Sequence, residues 1–170
     1  MTLVVSVVIP AFQAVKTIDR ALASIQTAGL PLSKVQIIIA PDDGQSYNFL
    51  NTRYESMTFV ASDTIRSGAG ATRNRALQAA KGDYIAFLDA DDTWEENYLA
   101  ALLPLAQKSG AAFGSTSVLK RGREILRLPK KNPQATLSCA DFARSGSSFH
   151  PVVARAYAGP FMNQPSQDIL

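Results

Sequence analysis

Gly82-Asp83-Tyr84-Ile85-Ala86-Phe87-Leu88-Asp89-Ala90-Asp91-Asp92 is the stretch on which the reading of this chain turns. The unbroken apolar and aromatic run 84–88 predicts a strand buried on both faces, as in a parallel sheet covered by helices on each side. Asp89, Asp91 and Asp92 then put three carboxylates into four residues at the strand's carboxyl end. Such crowding is costly repulsion unless a cation neutralises it. Mg2+ or Mn2+ suits this density, because either ion takes one or two protein carboxylates and completes its shell with waters and phosphate oxygens. The alternative is that Asp92-Thr93 caps a helix predicted over 95–108, with Glu95 and Glu96 at its positive end. Capping accounts for Asp92 and leaves Asp89 and Asp91 unexplained.

Outward from that stretch, short apolar runs alternate with amphipathic ones. Residues 3–9 predict a buried strand ended by Pro10. Ile18, Leu22 and Ile25 recur at helical spacing, with Ala21 beside Leu22, until Gly29 and Pro31 stop the helix. A second strand is predicted over 35–40, followed by the turn Pro41-Asp42-Asp43-Gly44, a weak helix over 45–53, a short strand over 57–61, and a helix over 71–81 closed by Gly82. Beyond the 95–108 helix the rhythm changes. Residues 111–119 and 124–128 flank Arg121-Gly122-Arg123 as an antiparallel hairpin, and a short helix near 138–143, a strand near 149–154 and a Gly159-Pro160 turn follow. The fold class is α/β, a mostly parallel sheet flanked by helices with a C-terminal antiparallel part. At 170 residues, 46% hydrophobic and 18% charged, the chain reads as one domain, with no repeat and no dividing linker.

The composition excludes several chemistries. One cysteine, Cys139, rules out an internal disulfide, and one histidine, His150, rules out HExxH zinc sites and His/Cys clusters, so any metal is held mainly by oxygen. No apolar run approaches the ~20 residues of a membrane span, and 3–9 lacks the basic flank of a signal peptide, so a cytoplasmic location is expected. The net charge of +3 hides a local +5, because Lys120, Arg121, Arg123, Arg127, Lys130 and Lys131 face only Glu124. Without interleaved aromatics this segment does not look like a nucleic-acid surface. A solvated hairpin face stays open beside an anionic membrane, an acidic acceptor or a partner protein.

Ligands of an open parallel sheet bind where the strands' carboxyl ends meet diverging loops. Asp42-Asp43, Asp89 to Asp92 and the loop Arg66-Ser67-Gly68-Ala69-Gly70 all fall there. The glycines allow close backbone approach, after which a helix N-terminus and Arg73 suit a phosphate. No GxGxxG follows the first strand and no GK[ST] is present, so neither the dinucleotide fingerprint nor a P-loop applies. Arg73 and Arg75 are equally readable as surface charges at this point.

Val5-Ser6-Val7-Val8-Ile9-Pro10-Ala11-Phe12 resembles the opening strand of family 2 glycosyltransferases, and Ile38-Ile39-Ala40-Pro41-Asp42-Asp43-Gly44 resembles their second strand and acidic turn. Gly70-Ala71-Thr72-Arg73-Asn74 and the 82–92 stretch are similar to the family's segment ending in the DxD motif. The resemblance is strong over 4–105 and faint from there to 160. Pro41 and Gln45 depart from the usual pattern.

The resemblance implies a GT-A fold, with a nucleotide-sugar-binding half over 1–105 and a partial acceptor-side half over 106–170. It implies an inverting hexosyltransferase that moves a sugar from a nucleotide donor, UDP-sugar first, to a saccharide or lipid-linked acceptor in polysaccharide or glycolipid synthesis. Pro10, Ala11 and Phe12 would line the nucleoside pocket, Asp42 and Asp43 contact the base, Gly70 and Arg73 lie near the phosphates, and Asp89 and Ala90 lie by the ribose or metal. Asp91, with Asp89 and Asp92, would hold Mn2+ or Mg2+. Gly159-Pro160-Phe161 resembles the turn that precedes the family's general base, which makes Asp168 the candidate, although Gln167 stands where an acid is common. Only two residues follow Asp168, so the acceptor half is expected to be truncated. Contact of the basic segment 120–131 with the inner face of a membrane stays one of the open readings of its charge and does not come from the resemblance. A non-catalytic donor-binding module is the alternative. A sugar nucleotidyltransferase fits less well, because Pro10-Ala11-Phe12-Gln13 stands where that class carries a Gly-rich basic loop.

Overall fold

The computed structural model describes residues 4–54, 57–128, 136 and 150–161. Strand β1 (Val5–Ala11) is centred between β2 (Val35–Pro41) and β4 (Tyr84–Phe87), parallel to both, and β2 in turn pairs in parallel with β3 (Met57–Phe59). On the far side of β4, strand β8 (Pro151–Ala154) runs antiparallel, and β5 (Ala111–Phe113) pairs antiparallel with β8. Among the described residues the sheet order is therefore β3-β2-β1-β4-β8-β5.

Helices cover both faces because every second residue of β1 points to the same side. Val5, Val7, Ile9 and Ala11 pack with α1 (Ile18–Gln26) and α3 (Tyr98–Ser109), whereas Val8 joins Ile38, Ile85 and Phe87 under Ala76 and Ala80, at and beyond α2 (Ala69–Gln78). The α1 stripe Ile18, Ala21, Leu22 and Ile25 is wholly buried, and each large aliphatic there contributes about 1.5–3 kcal/mol.

A pair of polar side chains, Ser6 and Gln36, interrupts this interior. Ser6, on the α2 side of β1, donates to Gln36 Oε1 at 2.7 Å and accepts the Gly82 amide at 2.9 Å, while Gln36 Nε2 donates to the Ala79 carbonyl at 3.0 Å. The pair satisfies the backbone where the chain leaves α2, so it is not an orphaned polar burial.

Several boundaries differ from expectation. β1 continues through Pro10 to Ala11, in register with Ala40 and Pro41. Val8 O accepts from Leu88 and Ala11 O from Asp42, so alternate residues bond alternate neighbours. Pro10 faces β4 beyond the end of that ladder, where its missing N–H costs nothing. Helix α2 ends at Gln78 rather than at 81, and Gly82 serves close approach instead of capping. α3 starts at Tyr98, five residues past Thr93, so Asp92-Thr93 does not cap it. Residues 45–53 give only a 3-10 turn, Asn48–Thr52. The expected strand 111–119 splits at Gly114, where a Cβ would lie 2.6 Å from the Tyr98 ring. Its first part joins the main sheet as β5, and its second, β6 (Thr116–Lys120), pairs among the described residues with β7 (Arg123–Leu128) alone. The short helix expected near 138–143 lies outside the described residues.

A Cβ on Gly82 would sit 2.6 Å from the Ser6 nitrogen and 2.7 Å from the Val5 carbonyl carbon, both fixed backbone in the central strand. Gly82→Ala should therefore lower the unfolding free energy by about 2 kcal/mol in urea titration. Gly159→Ala, with nothing within 4 Å of its Cβ, should stay within about 0.5 kcal/mol.

Candidate functional site

The chain passes from β1 to β2 on one side and returns to β4 on the other, so the loops after β1 and β4 part from each other and leave a crevice at the sheet's carboxyl edge. A cleft of about 760 Å³ lies there, walled by Pro10 to Ala14 after β1, Asp42 after β2, Arg66 to Arg73 at the start of α2, and Asp89 to Asp91 after β4. Phe12 is 48% exposed at its edge, a large apolar ring left for a ligand to cover.

The two carboxylates of the acidic turn have different duties. Buried Asp42 accepts the Ser67 hydroxyl and amide on Oδ1, at 2.6 and 3.0 Å, and the Gly68 amide on Oδ2 at 3.0 Å, with Arg75 at 3.5 Å. Burial raises its pKa, but the bonds from Ser67 and Gly68 and the Arg75 charge outweigh that and hold the carboxyl below its ordinary value. Asp43 turns toward the β1 loop. Its Oδ2 accepts the Gln13 amide at 2.6 Å and the Tyr47 hydroxyl at 2.9 Å, and its Oδ1 accepts the Gln45 amide at 3.0 Å. Tyr47 in turn accepts the Ala14 amide at 3.1 Å. Burial, with the Asp43 carboxylate beside it, pushes the Tyr47 hydroxyl up to about 12, so it stays a donor. Gln13 at φ 52 occupies left-handed space, a strain of order 1 kcal/mol that these bonds offset.

Across the cleft, Asp89 Oδ1 accepts Arg73 at 2.5 Å, and Asp89 Oδ2 lies 3.5 Å from His150 Nε2. Asp92 Oδ2 lies 3.5 Å from the same nitrogen. Burial raises the Asp89 pKa, yet His150 and Arg73 together hold it below the ordinary carboxylate range. Asp92, half-buried beside Asp91 and Asp89, is pushed up despite His150. His150 is 9% exposed, and Nε2 has no hydrogen-bond partner among the described residues. A buried imidazole nitrogen left unpaired between two carboxylate oxygens fits a shared cation. The three ligand atoms all lie within 4.8 Å of one another, and ligands about 2.1 Å from one ion would sit roughly 3–4 Å apart.

Of the residues singled out in the sequence, the cleft brings together Pro10, Ala11, Phe12, Asp42, Arg73, Asp89, Ala90 and Asp91. Asp43 stands behind the loop that forms the wall, Gly70 lies in the first turn of α2, and Asp92 sits with His150 beyond Asp89. Arg73 and Arg75 are not surface charges, since both are largely buried and ion-paired. Asp168 lies outside the described residues, as do Lys130 and Lys131. His150 escaped the sequence reading as a site residue. The signal was indirect: β8 pairs antiparallel with β4 through Ala86↔Val152, which sets His150 opposite Leu88 and next to Asp89. In the β6–β7 hairpin, Glu124 pairs with Arg127, whereas Lys120, Arg121 and Arg123 line a separate shallow hollow with Ile125.

The family model for glycosyl transferase family 2 matches residues 6–155. The chain is 30% identical over 117 residues to the Escherichia coli UDP-Glc:alpha-D-GlcNAc-diphosphoundecaprenol beta-1,3-glucosyltransferase WfgD, spanning 64% of this chain and 43% of that enzyme. Among solved structures it resembles S. aureus TarS 1-349 in complex with UDP-GlcNAc, with TM-score 0.62 and 21% identity over 73% of this chain and 37% of that one. It also resembles the Pyrobaculum calidifontis mannosyltransferase PcManGT in complex with GDP-Man and Mn2+, with TM-score 0.56 and 22% identity over 71% and 36%. The chain thus spans under half the length of each of these three proteins. The structural likeness shows the GT-A fold, and with the family match extending from β1 through β8, this chain belongs to glycosyl transferase family 2.

Proposed function

We propose that this chain binds a nucleotide-sugar donor, UDP-sugar first, together with Mn2+ or Mg2+, and belongs to an inverting hexosyltransferase acting on a hydroxyl of a saccharide or lipid-linked acceptor in polysaccharide synthesis. The observation that carries the reading is Asp89 between Arg73 and His150 at the sheet's switch point, in a cleft that Phe12 and Asp42 wall from the other side. The WfgD relative's name, with its UDP-glucose donor and diphosphoundecaprenol acceptor, supports the same chemistry.

Each residue has a task in this reading. Pro10, Ala11 and Phe12 take the nucleoside face. Among the described residues Asp42 Oδ2 accepts a single donor, Gly68, which leaves a lone pair for an N–H on the base edge, while Asp43 fixes the Gln13 loop. Helix α2 opens without a side-chain cap, so its first-turn amides, Gly70's included, face a diphosphate with the helix dipole behind them. Arg73 spends one N–H on Asp89 and has four more to offer. Asp89, Asp91, Asp92 and His150 would hold the divalent ion, which when bound would supply positive charge against the negative charge developing on the leaving diphosphate. Asp168 is proposed as the base that takes the acceptor hydroxyl's proton.

Three outcomes are expected. In Mn2+, Asp91→Asn and His150→Ala should each weaken UDP binding about tenfold by calorimetry while leaving metal-free binding unchanged; equal affinity of parent and variants would remove these residues from the metal site. UDP should bind about tenfold more tightly than CDP, because neutral cytosine lacks the ring N–H that an Asp42 carboxylate accepts. A CDP preference rejects that contact. The hairpin carries exposed Leu119 and Ile125 beside Lys120, Arg121 and Arg123, so the chain should co-sediment with anionic vesicles and release in salt. Arg121→Ser with Arg123→Ser should abolish this without changing UDP affinity, and failure of the parent to bind returns the segment to a solvated face.

A further inference from the structure

Asn74 follows Arg73 on α2, and its side chain grips the main chain of Phe161. Asn74 Nδ2 donates to the Phe161 carbonyl at 2.9 Å, and the Phe161 amide donates to Asn74 Oδ1 at 2.7 Å. One amide side chain thereby satisfies both backbone groups of a residue that belongs to no helix or strand. The ring held in this way meets Phe87 and Arg73. Its edge meets Phe87, the last residue of β4, at a centroid distance of 5.2 Å and an interplanar angle of 79°. Its face lies under the Arg73 guanidinium, 5.6 Å from the ring centroid. The opposite constraint on that guanidinium is Asp89, at 2.5 Å.

We infer that Asn74 and Phe161 are positioning residues that clip the chain at Phe161 to α2, so that the phenyl face and the Asp89 carboxylate together hold Arg73 ready for the donor's diphosphate. The inference rests on the donor reading above and goes further, tying donor affinity to a residue that lines no part of the cleft. Phe161 is 37% exposed and Asn74 is partly exposed, so neither is needed to fill the core. What they supply is order. A free arginine side chain samples many rotamers, and fixing one before the ligand arrives lowers the ordering cost of binding. Asp89 alone would anchor one end of a planar group; the ring face fixes its plane as well.

The test compares UDP with uridine, which has the same base and ribose but no phosphate, by calorimetry at fixed Mn2+. Asn74→Ala and Phe161→Leu should each weaken UDP binding by about three- to fivefold and leave uridine unchanged. Phe161→Tyr, which keeps the ring face, should bind UDP as the parent does. Because both residues act on the same guanidinium, the Asn74→Ala, Phe161→Leu double variant should lose no more than the larger single loss. Unchanged UDP affinity in both single variants, equal losses for UDP and uridine, additive losses, or a Phe161→Tyr loss as large as that of Phe161→Leu would each overturn the inference. Arg73→Ala separates it from the donor reading. If that variant loses UDP affinity while the clip variants do not, the clip alone fails. If the parent binds UDP no better than uridine, or Arg73→Ala changes nothing, the phosphate assignment of Arg73 fails and the clip falls with it.

Discussion

Parallel pairing of β1 on both of its edges is the constraint from which the remainder follows. A strand flanked by β2 and β4 in the same direction cannot be joined to them by hairpins, so the chain must cross over each face, and α1 and α2 supply the crossovers on opposite sides. With both faces covered, the polar residues are driven to the sheet ends. At the carboxyl end the loops diverge on either side of β1, which creates a crevice without any residue having to be sacrificed from the core.

Burying carboxylates at that crevice requires donors, and the protein meets this in two ways. Asp42 is satisfied locally by the amides and hydroxyl of the loop that opens α2, so the turn after β2 and the start of α2 are fastened to one another. Asp89 is satisfied from afar, by Arg73 on α2, with His150 at the head of β8 only 3.5 Å away. The first arrangement is closed within the fold. The second leaves a buried imidazole nitrogen without a hydrogen bond among the described residues, beside Asp92, whose pKa is raised by burial first and by the Asp91 and Asp89 charges after it, a setting that an added cation would relieve.

Helix α2 is the element through which these features meet. Its N-terminus borders the cleft, Arg73 reaches Asp89, Asn74 holds Phe161, and Arg75 bonds Ser67, Pro41 and Asp42. Three consecutive polar residues thus point to three separate strands or loops. A helix with so weak an apolar stripe, of which only Thr72 and Ala76 are buried, is held to the sheet as much by these directed polar bonds as by packing.

Short-range pattern was enough to read the strands through β4, the helices α1 and α2 and the placing of Asp42, Arg73, Asp89 and Asp91 at the cleft, because buried parallel strands announce themselves as unbroken apolar runs and their carboxyl ends are where polar residues collect, whereas Pro10, Ala11, Phe12 and Ala90 entered through the family resemblance. It failed where the deciding partner is remote. Nothing near Pro10 says that its ladder has already ended on the β4 side, and nothing near Gly82 says that the Ser6 backbone lies against it. The strand expected over 111–119 divides at Gly114, whose need to clear the Tyr98 ring is likewise invisible locally. Above all, His150 and Asp89 stand 61 positions apart in sequence, and no local signal joins them. Antiparallel register between β4 and β8 brings them together, and register is a property of the paired sheet rather than of either strand.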